Sequence, residues 1–141
     1  MAMDPQAIRD WEETQLRAGG GPAKLFFFAA ARGLAAAHLR TSLVAGVPVE
    51  QLQSLTGVYP ELLAHADGGR VYAWGARPGD LAEQKWERLN AGDICVVYTG
   101  ERRFGYWGRV YAKVRSERIA RSIWSEDEDG AIWACMYFLD R

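Results

Sequence analysis

The stretch that most constrains this chain is 71–114, VYAWGARPGDLAEQKWERLNAGDICVVYTGERRFGYWGRVYAKV. Val71 to Trp74 is a short β-rich run stopped by Gly75 and Pro78-Gly79. Leu81, Trp86 and Leu89 recur at roughly helical spacing, which predicts a short amphipathic helix over 81–90 ending near Asn90 and Gly92. Ile94 to Tyr98 is almost continuously apolar and bounded by turns, the pattern of a strand buried on both faces. After it, Phe104, Tyr106, Gly108, Val110, Ala112 and Val114 alternate with Trp107, Arg109, Tyr111, Lys113 and Arg115. Period two puts the first set on a packed face and the second on an aromatic, basic one. The expected result is α+β: a small curved sheet or barrel with a helix laid on it.

The rest of the chain reads as helical up to a double glycine. Asp4-Pro5 has the form of an N-cap followed by proline at the first helical position, opening a helix to about Arg17. After the break at 19–22, Ala23 to Ala45 is apolar around most of a helical circumference, although its FFF run also suits a strand. Val49–Leu55 and Pro60–Ala66 read as two further short helices, and Asp67-Gly68-Gly69 as a boundary. The expected organisation is a helical region over 1–66 and a β-rich domain over 67–141. Beyond the central stretch, Ser116 is placed to cap a helix carrying Ile119 and Ile123 one turn apart. An acidic loop follows at Glu126–Asp129, and Ala131–Leu139 alternates as a final strand. A chain that stops just after a core strand is expected to be the N-terminal piece of a longer protein with an effector domain.

With 141 residues, 49% of them hydrophobic, the chain is long enough to bury a core. Its formal net charge of −1 offers no bulk basicity for nucleic acid, so the distribution matters more. Arg102, Arg103, Arg109, Lys113, Arg115, Arg118 and Arg121 are opposed between 102 and 121 by Glu117 alone. Such a stripe is either an electrostatic footprint or a solvated strand edge. Cys95 and Cys135 fall in predicted strands with no partner spacing for a metal, so buried free thiols and no cofactor are expected. No signal peptide is visible, and 25–39 is too short and too interrupted to span a membrane; a cytoplasmic protein is the expectation.

Catalytic constellations are absent: no Gly-rich phosphate loop, no HExxH and no GxSxG. His38 and His65 neighbour no nucleophile in sequence, so a binding module is expected rather than an enzyme. Tryptophan, by contrast, is abundant. Trp86 and Trp133 suit the core, whereas Trp74 and Trp124 each end an element before small or polar turn residues. A ring so placed can offer a face for stacking on a base, worth roughly 1–3 kcal/mol.

The ordered set WGxRPG, a helix with an inner Trp86, NxGDxxxxY, FxxxGxV, helix-IWS, acidic loop and aromatic strand resembles the PUA-like superfamily. Within it, the set is similar to YTH and EVE domains and to the N-terminal domains of McrB-type modification-dependent restriction factors. The resemblance covers about 70–140. It implies that a modified base is flipped into an aromatic cage, with Trp74 and Trp124 as walls and the backbone at Gly75 bonding the base edge. Tyr98 and Trp107 are placed to extend the pocket, and Arg102, Arg103, Arg109 and Lys113 to contact phosphates. The third aromatic wall of some YTH domains would fall in Glu126–Asp129 and is missing, and the strand that opens those domains has no assigned counterpart here.

The resemblance implies N6-methyladenine first and a modified cytosine second, in DNA before RNA. A methyl group contributes only about 0.8 kcal/mol on burial, and extrusion costs a few kcal/mol. Discrimination therefore rests on a shaped cage, with the phosphate contacts offsetting extrusion. The competing readings are an RNA-binding module, an ASCH-like nucleoside enzyme, and a homo-oligomerisation domain whose apolar N-terminal helix pairs with a second copy.

Overall fold

The computed structural model describes residues 23–30, 32–55, 60–79, 81–100, 102–125 and 130–140. The helix expected after Asp4-Pro5 and the acidic loop 126–129 lie outside them. Among the described residues, six strands form one mixed sheet: β1 (Leu25–Ala29), β2 (Val47–Pro48), β3 (Arg70–Ala76), β4 (Ile94–Gly100), β5 (Arg103–Arg115) and β6 (Cys135–Asp140). Their spatial order is β1-β4-β5-β6-β3-β2, with β1 and β4 parallel and the other pairs antiparallel. Four α-helices accompany them: α1 (Gly33–Leu39), α2 (Val49–Leu52), α3 (Leu81–Arg88) and α4 (Glu117–Trp124). The fold is an α+β open sheet. Its expected elements over 71–124 are all present, within a few residues of the positions the periodicity gives.

The largest correction concerns the Phe-rich run. LFFFA is not the start of a long helix but strand β1, in register with Ile94–Tyr98. Alternation decides it: Phe26 and Phe28 are buried, whereas Phe27 is 48% exposed. The helix begins only at Gly33 and relaxes into a π-helical turn over Arg40–Val44. There Thr41 and Ser42 donate side-chain hydrogen bonds to the carbonyls of Ala37 and His38, four residues back.

The boundary at Gly68-Gly69 is corrected as well. Residues 23–66 are not a separate helical region, because β1 and β2 belong to the same sheet as β3–β6. The double glycine is a tight turn with positive φ at both residues, bridged by Asp67 and Arg70, which carries the chain into β3.

The sheet has a core on each face. On the inner face Phe26, Phe28, Tyr72, Trp74, Val97 and Tyr137 pack with Leu39 and Leu43. On the outer face Val71, Met136 and Phe138 pack against Ile119, Ala120 and Ile123 of α4, with Leu52 and Leu62. α4 is capped as expected, the Ser116 hydroxyl accepting from the Ile119 N–H at 3.1 Å.

β5 departs from strict alternation. A bulge between Val110 and Ala112 leaves Val110 in the inner core and Val114 in the outer one, so one packed face becomes two. The Asp93 of the Gly-Asp turn is buried and accepts from the backbone N–H groups of Lys24 and Asn90 at 3.0 and 2.8 Å. That carboxylate fastens the start of β1 to the turn before β4.

Candidate functional site

Although β1 and β3 lie near opposite ends of the strand order, both line one cleft of about 450 Å³. Phe27 and Phe28 come from β1, Trp74 and Gly75 from β3, Tyr98 from β4, and Trp133 from the segment before β6. α3 closes the side with Lys85 and Leu81. Its size falls in the range of small-molecule pockets, roughly 300–1,000 Å³. The walls are aromatic: Trp133 stands 5.3 Å from Trp74 at 81°, and Phe27 and Tyr98 are each backed by Phe104, at 5.5 and 5.8 Å centroid to centroid. Lys85 donates to the Phe27 carbonyl at 2.9 Å, which ties α3 to the outer edge of β1. Leu81, 77% exposed, stands on the rim.

The expected cage is only partly assembled. Trp74, Gly75 and Tyr98 do line the cleft; Trp124 and Trp107 are not among its walls. Trp74 and Trp124 were expected to keep one open face each, yet they are 2% and 6% exposed. The reason is that each is packed into one of the two cores. Trp74 points into the inner core, whereas Trp124 belongs to the outer one. Their rings meet at 6.4 Å and 77°, edge to face, an arrangement that leaves no slot for a planar ligand.

Trp124 is instead anchored in the core. Its indole N–H donates to the Ser42 hydroxyl at 3.1 Å, and its ring stacks on His38 at 5.7 Å. Gly75 makes room for it: a Cβ there would lie 2.9 Å from the Trp124 ring and 2.9 Å from the Trp133 carbonyl. Trp133, expected as a core residue, is only partly buried and takes the second position beside Trp74. Trp86 is partly buried too, its indole N–H donating to the Met136 carbonyl at 2.8 Å.

The basic stripe divides. Arg102 and Arg103 are exposed at the β4–β5 turn, where the Arg102 N–H donates to the hydroxyl of Tyr98. That turn therefore borders the cleft. Lys113 is committed elsewhere. Its ammonium donates to the Trp86 and Glu87 carbonyls at 2.9 and 3.1 Å and lies 4.7 Å from the Trp86 ring centre. Burial among these groups lowers its pKa. Arg109 sits far along β5, in register with Ile94 and Asp140. Arg115 pairs with Glu83, whose carboxylate also accepts from the Gly79 N–H. The backbone bond to Gly79, then the hydrogen bond to Arg115, hold Glu83 below the usual carboxylate range.

Both cysteines are free and buried, and burial pushes the Cys135 thiol up to about 11 and Cys95 higher still. Among the described residues no group of three or more His, Cys, Asp or Glu side chains gathers as a metal site. No helix among them is long and apolar enough to cross a membrane.

Sequence reasoning missed Phe27, Phe28, Leu81, Lys85 and Trp133 as cleft residues. Three consecutive phenylalanines were the available signal for the first two, since a strand must turn one of them outward.

In fold, the chain is similar to a solved N-terminal domain of an McrB protein. The solved structure that shows this is the N-terminal domain of Thermococcus gammatolerans McrB bound to m5C DNA. It matches with a TM-score of 0.63 and 20% sequence identity, over 84% of this chain and 73% of that one. No family model and no curated protein matches the sequence.

Proposed function

We propose that this chain reads a modified base in DNA, receiving the extruded base in the cleft at the Trp74–Gly75 end of β3. The observation that carries the reading is an aromatic cleft of nucleobase-binding character on the fold of a domain solved with methylated DNA. In this reading Tyr98, Trp133 and the phenylalanines of β1 form the walls, Trp74 forms the floor, and the Gly75 backbone bonds the base edge. Arg102 and Arg103, beside Tyr98, meet the phosphates of the strand that enters. Arg109 and Lys113 are weaker choices for phosphate contacts, because one is distant from the cleft and the other caps α3.

Extrusion leaves a gap in the duplex, and flipping proteins fill such gaps with apolar side chains. Leu81 on the rim is placed to do this. The m5C DNA of the structural neighbour makes 5-methylcytosine the first base to test, with N6-methyladenine second. The module would serve as the target-recognition part of a modification-dependent restriction protein, with cleavage carried by another part of a longer chain.

A titration panel tests this: matched duplexes with 5-methylcytosine, N6-methyladenine or no modification, and RNA counterparts, read by fluorescence anisotropy. Tighter binding to one methylated duplex is expected. Equal affinity across the duplexes sinks the reading, and a preference for RNA moves the module to RNA recognition.

A further inference from the structure

Beside the base cleft lies a second groove of about 560 Å³, between β1 and the C-terminal half of α3. The two share Phe27 and Lys85, which are hydrogen-bonded to each other and form the ridge between them. The second is lined by Lys24, Lys85 and Arg88, against Glu87 as its single carboxylate. Asp93, close by at 3.7 Å from the Lys24 ammonium, is buried and already accepts two backbone N–H groups.

We propose that this groove holds the sugar–phosphate backbone of the DNA strand whose base occupies the neighbouring cleft. The inference rests on the reading given above and adds a path for the strand. A nucleotide seated between Tyr98 and Trp133 keeps its phosphates at the mouth of the cleft. From there the strand crosses the Phe27–Lys85 ridge into a channel with three cations.

Two of those cations also have internal partners. Lys24 donates to the Arg88 carbonyl at 2.7 Å and Lys85 to the Phe27 carbonyl at 2.9 Å. Each ammonium has three N–H donors, so the carbonyl bond leaves Lys85 two donors for a phosphate oxygen, and Lys24, which also faces Asp93 at 3.7 Å, at least one. The Arg88 side chain is exposed, and only its carbonyl takes part in the contact with Lys24. The apolar floor of Leu25 and Phe26 suits the sugar, and the cations along the wall suit the phosphates.

Pure helix capping and phosphate binding predict different outcomes. Each phosphate contact removed makes the slope of log affinity against log salt shallower by about one unit. Capping affects only stability. The test is therefore Arg88→Gln and Lys24→Gln in the full chain, titrated with the methylated duplex that the wild type prefers at several salt concentrations. The expected result is a slope about one unit shallower for each variant, with the ratio of methylated to unmethylated affinity unchanged.

Arg118→Gln on α4, outside both grooves, is the surface control and should keep the wild-type slope. Arg88→Gln removes no cap, so it stays informative even where Lys24→Gln lowers the melting temperature. An unchanged slope in a folded Arg88→Gln, or an equal change in Arg118→Gln, overturns the proposal. Loss of methyl preference in the wild type would be a different failure, sinking the base-reading function while leaving the salt measurement to decide the groove.

Discussion

At the scale of single residues, the instructive comparison is between Trp124 and Trp133. Both end or precede an element and both stand in a turn-rich setting, so their surroundings in sequence do not separate them. Their rings even touch, 5.9 Å between centroids, and what differs is what else surrounds each. Trp124, the last residue of α4, packs onto Gly75 and is tied by its indole N–H to Ser42 of the π-helical turn, whereas Trp133, just before β6, opens onto the cleft. Trp124→Ala should therefore cost about 3–5 kcal/mol of stability as a large core truncation, seen in denaturant melts. Tyr98→Ala, at a partly exposed cleft wall, should instead weaken DNA binding by about 1–3 kcal/mol and barely move the melting temperature. Gly75→Ala should destabilise, because its methyl would meet the Trp124 ring and the Trp133 carbonyl within 3 Å. A Gly75→Ala protein that melts like the wild type would show that the two tryptophans are not wedged on β3.

Among the elements, α3 was legible and its function was not. Leu81, Trp86 and Leu89 give its period, but the pairings that hold it across the sheet are long-range: Lys85 to Phe27, Trp86 to Met136, and Glu83 to Arg115. Glu83 makes the helix anchor pH-dependent. Its folded-state pKa is depressed, so its contribution is present above the unfolded carboxylate value and is lost as pH falls through the folded one. Glu83→Gln should thus lower the melting temperature at pH 7, and the gap to wild type should close as the pH drops below the usual carboxylate range. A gap that persists undiminished at low pH would remove Glu83 from the anchor. The first residue of α3 offers a functional test. Leu81→Ala should weaken binding to a methylated duplex while leaving the same methylated single strand bound as before, since only a duplex has a gap to fill. Equal losses on both substrates would reduce Leu81 to an ordinary cleft wall.

For the whole molecule, the sequence reading found the β unit and misjudged what completes it. Turn residues, the short apolar runs of β3 and β4 and the alternation of β5 and β6 were enough to place these four strands between 71 and 139. The five-residue β1 has too short a pattern to be told from a helix, and its pairing partner lies almost 70 residues away. Gly68-Gly69 looked like a domain boundary because a two-glycine turn and a boundary share the same residues; the Asp67–Arg70 bridge and the pairing of Pro48 with Arg70 separate them. The consequence is testable. A 67–141 fragment loses Phe26, Phe28, Leu39 and Leu43 from the inner core and Val47, Leu52 and Leu62 from the outer one. It also bares the edge of β4, whose unpaired N–H and C=O groups then favour association with other chains. The fragment should aggregate or show no cooperative thermal transition by circular dichroism. A soluble monomeric fragment with a sharp melt would instead mean that β1 and the segment through β2 are additions to a β unit that is sufficient by itself.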